Sequence, residues 1–457
     1  MHRLSFRARL RPLLLLLLVA GPLYAQVPDW MGEKPGLHPD DLAKKVVGSY
    51  PTGIPFVDYD PDTGWGIGAR GYYYWNGDSS DPFFAYTPYR HRLMLQIYLT
   101  SGGFQDHQLD WDWLYAANSP WRLHTALVLL ANSASNYFGT GAAAMAPFRG
   151  PDGQTYGRYA DFMTAIHQVN ATGGTYASYA QYGFVNPLWR ARLERELLGG
   201  RLHFQGAVEV GWVRITEATG TTVTGENADG TSRAATSLPT RLREDCDAGR
   251  LIGCNGGWNN LLKLGVTYDT RDYEPDPNDG IFAELTAEAS SRYLGSQFDF
   301  QRMTFTPRGY WSPWHDAVDL VLVGRLLASA TSSGTPFFAL GNLTTTGDLI
   351  RGVGGSRTLR GFRLDRFVGP RSLLASAEAR WTFVEFTMLA QRFSFALAPF
   401  ADTGRVFDSW DQMTWRGWRL GGGAGIRLGW NQATIGAFDF GWSSEGFLFY
   451  TEFGHPF

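Results

Sequence analysis

GDLIRGVGGSRTLRGFRLDRFVGPRSLLASAEARW, residues 347–381, is a loop rich in glycine and arginine that runs into a strand. Gly347, Gly352, Gly354, Gly355, Gly361 and Gly369 allow turns that a β-carbon forbids, and the arginines from Arg351 to Arg380 need acidic partners if the loop is enclosed. Glu378 and Asp402 are available on strands with one polar side. Alternation sets Ser376, Glu378 and Arg380 against Ala375, Ala377, Ala379 and Trp381 in the first strand. In the second it sets Phe400 and Asp402 against Phe393, Phe395 and Leu397.

Working outward, residues 1–25 read as a secretory signal. Arg3, Arg7, Arg9 and Arg11 form its basic region, an apolar run at 13–20 is too short to span a bilayer, and Leu23-Tyr24-Ala25 gives a cleavage site. No later run is long and apolar enough for a membrane helix. A secreted chain with 15% aromatic residues, 55 glycines and 18% charged residues is a soluble all-β protein or a transmembrane barrel. Four of the 40 basic residues belong to the signal, leaving 36 against 43 acidic ones, which argues against nucleic acid as a partner. Cys246 and Cys254 lie in a polar stretch; in an oxidising compartment they read as a local disulfide, and without clustered histidines they do not read as a metal site.

Residues 26–62 form a short lead-in with a proline-rich start and an amphipathic patch at 39–47, too short for an ordinary domain of about 50 residues or more. From residue 63 the chain becomes a series of alternating segments of barrel length. They cover 64–76, 89–101, 104–115, 121–131, 178–198, 201–215, 260–270, 281–291, 298–310, 318–330, 373–383, 393–402, 419–428, 434–442 and 447–457. A single-chain bacterial barrel has an even number of strands, short periplasmic turns and longer outer loops. Parity therefore adds a sixteenth strand. Counting back from the C-terminus places the arginine and cysteine loops outside; counting forward puts Ala131 at the periplasmic end and the missing strand within 132–177, starting near 136–144. In the last segment Phe447, Phe449, Phe453 and Phe457 share one face, opposite Leu448, Tyr450 and Glu452, so the terminal phenylalanine closes a lipid-facing aromatic ladder.

These features resemble the BamA/TamA superfamily of outer-membrane barrels. Arg360-Gly361-Phe362 is similar to the family's Arg-Gly-aromatic signature in a long loop that folds into the lumen. Phe400-Ala401-Asp402-Thr403-Gly404 is similar to its Phe-x-Asp-x-Gly signature on a late strand, and Glu378 sits where the family often has an acidic residue. Residues 265–280 resemble a strand and turn of the same barrels, and 421–457 their final three strands. The resemblance implies a transmembrane antiparallel β-barrel of the Gram-negative outer membrane, with Arg360 reaching Asp402 and Glu378 inside it as a brace. It also implies that Phe447, Phe449, Phe453 and Phe457 form the signal read by barrel-assembly machinery. Most of the family carries periplasmic polypeptide-transport-associated domains ahead of the barrel, and the lead-in has no room for one.

No enzyme motif stands out: there is no Gly-x-Ser-x-Gly elbow, His-Glu-x-x-His pair or phosphate loop, and no cofactor is implied. Asp106, Asp110 and Asp112 share the polar face of one segment and read as lumen wall, with His107 opposite; the run 269–272 reads as charges flanking a turn. Three functions follow from these readings. The first is insertion or translocation of proteins or lipid through a seam between first and last strands, with outer-membrane lipid, barrel-assembly machinery and client polypeptides as partners. The second is a passive solute channel. The third is a structural surface barrel.

Overall fold

A strand that alternates apolar and polar residues must set its two faces in different media. In the computed structural model, which describes residues 28–31, 37, 42–43, 45–274, 276–314, 318–347, 349–389, 391–430 and 434–457, the apolar faces point outward. Leu93, Leu95, Ile97 and Leu99 are exposed, as are Leu262, Leu264 and Val266, while Gln96, Lys263, Thr267, Glu284, Glu288 and Arg302 are buried inside. This inversion is that of a barrel in lipid. The signal segment and most of the 39–47 patch lie outside the described residues.

Sixteen strands pair in chain order as one antiparallel meander. They are β1 (Gly48–Asp60), β2 (Gly64–Gly77), β3 (His91–Thr100), β4 (Phe104–Trp113), β5 (Trp121–Asn136), β6 (Gln181–Leu197), β7 (Leu202–Thr216), β8 (Gly256–Trp258 continued by Leu261–Asp269), β9 (Gly280–Ser290), β10 (Phe300–Trp311), β11 (Leu320–Thr331), β12 (Arg371–Met388), β13 (Gln391–Phe407), β14 (Arg419–Trp430), β15 (Thr434–Ser443) and β16 (Gly446–Phe453). Both pieces of β8 pair with β7.

The count of sixteen agrees with parity, but the strand added by parity lies elsewhere. No barrel strand starts at 136–144. β5 instead runs on to Asn136 at the outer end, so Ala131 is not periplasmic. The missing strand is β1, inside the supposed lead-in, so the barrel begins at Gly48 rather than residue 63. Its pattern hid it: Pro51, Gly53 and Pro55 point out and Ile54 and Phe56 point in, the reverse of the usual order. Proline is tolerated there because β1 is an edge strand.

β1 and β16 face each other without a backbone ladder among the described residues. The contacts are made by side chains. The Tyr59 backbone N–H donates to Thr451 Oγ1 at 2.5 Å, and that hydroxyl donates back to Tyr59 O at 3.2 Å. Tyr59 stacks on Phe449 with ring centroids 5.9 Å apart. Phe56 meets Phe453, the last residue of β16, with ring centroids 5.6 Å apart, so β1 from Pro55 back to Gly48 extends past the end of β16, and Pro51 and Pro55 have no N–H to give on that edge. The seam strand is thus β1 rather than 64–76.

Phe447 and Phe453 point outward as the alternation requires. Phe457 does not. Gly454, at φ +89°, turns the chain inward, and Phe457, 6% exposed, packs against Tyr310, Val321 and Val323 on the lumen wall. Arg325 covers its ring at 4.3 Å and Arg380 donates to its carbonyl at 3.1 Å. Alternation failed because it was carried four residues past the end of the strand.

The longest connections, 137–180, 217–255 and 332–370, gather at one end, and the tight turn 198–200 lies at the other, which is the periplasmic end by loop length. There Met31 packs with Phe83 and Tyr115, and Lys45 Nζ donates to the carbonyls of Phe84 and Thr87 at 2.6 Å each. Burial lowers the Lys45 ammonium to about 8, with Asp81 opposing and Arg90 adding. At the outer end, loops 137–180 and 217–255 form a cap with its own apolar clusters. Phe138, Phe148, Phe162, Ile166 and Tyr179 make one; Tyr137, Tyr182, Phe184, Leu242 and Phe337 make another that joins the cap to the loop 332–370. In this cap Cys246, in the helix Arg241–Asp247, is disulfide-bonded to Cys254.

Two outcomes test this arrangement. Cysteines at Tyr59 and Thr451 should cross-link on oxidation, whereas cysteines at Trp65 and Thr451 should not; the reverse would make β2 the first strand. An impermeant maleimide should label intact cells only after reduction. Labelling before reduction would contradict the Cys246–Cys254 bond, and labelling only after lysis would contradict an outer cap.

Candidate functional site in the barrel lumen

The loop between β11 and β12 has its own apolar core, in which Leu343, Ile350, Val353, Leu359, Phe362 and Phe367 pack on Leu327, Leu374 and Val406 of the wall. That core carries Arg360 to the inward faces of β12, β13 and β15, where it is 1% exposed. Its Nε and one terminal nitrogen grip Asp402 at 2.8 and 3.1 Å. The other terminal nitrogen donates to Glu378 at 2.7 Å and to Asp439 at 3.3 Å. The Arg360 backbone N–H also donates to Asp402, at 3.2 Å. The guanidinium lies 3.4 Å from the centre of the Phe400 ring, so its flat face is covered while its edges are all directed at carboxylates.

Two more arginines complete the set. Arg380 donates to Glu378 at 2.9 Å; Arg427 donates to Glu378 at 3.1 Å and to Asp439 at 2.6 Å. Arg360, Arg380 and Arg427 therefore balance Glu378, Asp402 and Asp439, and a neutral network is the form in which buried charges persist. The flanking residues fit closely. Gly361 adopts φ +91°, and a Cβ there would stand 2.7 Å from the Trp442 carbonyl. Its N–H donates to Tyr450 Oη at 3.1 Å, and that hydroxyl donates to Phe362 O at 3.0 Å. At Gly404 a Cβ would meet Val353 at 2.8 Å, so the wall there must be bare for the loop to dock.

Arg427 and Asp439 escaped the sequence reading although alternation exposes them, each flanked by residues that face lipid, Ile426 and Leu428 or Phe438 and Phe440. Arg366 and Glu445 were also missed, and no local pattern marks them. Arg366 meets Glu445 at 2.9 Å and donates to the carbonyls of Ala144 and Ala146 at 2.6 and 2.9 Å, tying the loop to the cap. Burial raises the Glu445 carboxyl and Arg366 opposes the rise. Arg363 and the Leu364 N–H hold Asp62 in the β1–β2 turn at 3.4 and 2.7 Å.

The acidic group on β4 is engaged with neighbours on the wall. Asp112 takes Arg122 and the Tyr89 hydroxyl, both at 2.7 Å; Asp110 takes His124 and Arg92; Asp106 accepts from Gln108. Arg271 folds back on Asp269 at the end of β8. Glu194, Glu196 and His203 come within 4.8 Å of one another, but both ring nitrogens of His203 are taken, by Glu194 at 2.9 Å and by the Gly200 carbonyl at 2.6 Å. A ring so engaged has no lone pair for a metal.

Comparison with known proteins gives two family matches. Residues 166–445 match the Omp85 superfamily domain, and residues 27–90 match a domain of unknown function, DUF5982, which here comprises the N-terminal segment with β1 and β2. No curated protein matches the sequence. Among solved structures, BamA from Haemophilus ducreyi lacking POTRA domains 1–3 is similar over 90% of this chain and 70% of its own, at 11% identity and a TM-score of 0.52. CdiB from Escherichia coli is similar over 89% of this chain at 10% identity and a TM-score of 0.51; the chain spans 62% of its length. Likeness at such identities concerns the fold alone.

Removing the Arg360 side chain strands Asp402 and unbalances the network. Loss of one partner from a buried ion pair costs about 3–5 kcal/mol. Arg360→Ala should therefore lose its folded band on unboiled gels at a clearly lower temperature than the wild type, and Arg360→Lys should rescue little, since an ammonium has no planar fork. Arg292→Ala, which breaks an exposed pair with Asp299, is the control. Equal unfolding temperatures for Arg360→Ala and Arg292→Ala would show that Arg360 contributes no more than a surface charge.

Proposed function

Because this chain belongs to the Omp85 superfamily and forms an outer-membrane β-barrel, we propose that it assists the insertion of polypeptide chains into the outer membrane at the β1–β16 seam. The observation that carries this reading is the missing ladder. An edge strand with unpaired backbone groups is a template for another strand, and addition of an extended segment to such an edge is a general mode of peptide recognition. β16 ends at Phe453, beside Phe56, so β1 from Pro55 back to Gly48 has no strand next to it, and the seam edge stays open to a client chain. Next to this edge, the Arg360 network holds the loop against β12, β13 and β15, the last of these laddered to β16, as a fixed wall.

Insertion is favoured over passage to the exterior. The cap over the outer end and the loop within the lumen stand across any axial path, and Arg366 joins them. The same features weigh against a passive solute channel. The reading needs no covalent chemistry and no cofactor; its partners are outer-membrane lipid, client polypeptides, and the assembly machinery that inserts this barrel.

A urea-denatured eight-stranded barrel chain, diluted into liposomes that contain the protein, tests the proposal. Insertion of that chain should be faster than into empty liposomes, should slow when cysteines at Tyr59 and Thr451 are oxidised, and should recover on reduction. An unchanged rate with the seam locked would refute insertion at the seam.

A further inference from the structure

The lumen holds a chamber that the Arg360 network does not use. A cavity of about 410 Å3 lies between the loop and the wall formed by β5 to β8. Six cationic side chains line it, Arg70, Arg190, Arg192, Lys263, Arg351 and Arg357, against two carboxylates, Asp106 and Glu209. Lys263 pairs with Glu209 at 3.2 Å and Arg351 with Asp365 at 2.9 Å, and Arg357 is engaged as well. Arg70 and Arg192 donate to the neutral amides of Gln96 and Gln205, and the nearest carboxylate to Arg192, Glu194, is 3.9 Å away. Arg190 makes no side-chain hydrogen bond or ion pair among the described residues, and its Nε is buried. Asn186 Oδ1, four residues before it and on the same inward face of β6, is a buried acceptor that also lacks a partner.

A guanidinium keeps its charge wherever it is placed, so Arg190 over this enclosed space requires a counter-ion; Arg192 beside it has Glu194 at 3.9 Å, and the fork of each suits the oxygens of a phosphate or carboxylate. Buried polar atoms without partners are rare, and each calls for an explanation. Here one ligand would satisfy both kinds. An oxyanion would take Arg190 and Arg192, and a hydroxyl on the same molecule would donate to Asn186. We propose that the chamber binds a phosphate ester of a polyol, as a free solute or as the headgroup of a lipid.

The test uses the full-length barrel in neutral detergent at fixed ionic strength, with glycerol phosphate as the soluble probe and sodium chloride as the reference. Calorimetric titration should give saturable binding at one site. Arg190→Gln and Arg192→Gln should each weaken it by about tenfold or more, the range for a lost hydrogen bond to a charged group. Arg195→Gln, the same change on the outward face of β6, should leave it unaltered. Asn186→Leu should weaken glycerol phosphate while sparing inorganic phosphate. A parallel arm places the protein in nanodiscs and asks whether phosphatidylglycerol is retained over phosphatidylcholine in an Arg190-dependent way. Binding of the soluble probe assigns a solute; retention of the lipid alone assigns a headgroup. If neither probe binds above the chloride reference, or if the glutamine variants, still folded on unboiled gels, bind as the wild type does, the chamber is not such a site. Insertion is not measured in either arm, so this outcome is independent of the insertion reading.

Discussion

A guanidinium removed from water has to be surrounded by carboxylates, and the position of Arg360 follows from that requirement. Three acidic side chains on three strands converge on it, and two further arginines hold those acids in place. Displacing any one member leaves a charge in a space too dry to solvate it. The loop is therefore tied to the side of the barrel formed by β12 to β15, and its apolar core completes the attachment by packing on the same wall.

That attachment gives the barrel two unlike sides. From β1 through β16 every neighbouring pair is laddered, while the last edge and the first meet through the Thr451 hydroxyl and stacked rings. The loop touches both sides: Arg363 reaches the β1–β2 turn through Asp62, and Ser443, at the end of β15, donates to the Gly361 carbonyl at 2.6 Å. A movement of the seam would thus be felt at the loop, and through Arg366 at the cap.

Much of this was legible in the sequence because a barrel in lipid writes its two faces as strict alternation. Fifteen strands, the inward Glu378 and Asp402, and the count of sixteen all follow from that period. What alternation could not show has physical causes. β1 carries Pro51, Gly53 and Pro55 outward and Ile54 and Phe56 inward, and resumes the usual order only at Val57 and Asp58, too short a stretch to read as a period. Phe457 leaves the period once Gly454 turns the chain. The cap is packed like a water-soluble domain, so 137–180 has helical and irregular segments with no period of two. Arg366 with Glu445, 79 residues apart, is a pairing that only the fold reveals.

The account rests on a barrel that is fixed at one wall and loose at one seam, and backbone hydrogen exchange reads that contrast directly. With the protein in nanodiscs, amides of β12 and β13 should resist exchange for far longer than those of β1 and β16, and oxidation of cysteines placed at Tyr59 and Thr451 should protect the latter pair. Equal protection of β1, β16, β12 and β13 in the unlocked protein would contradict it.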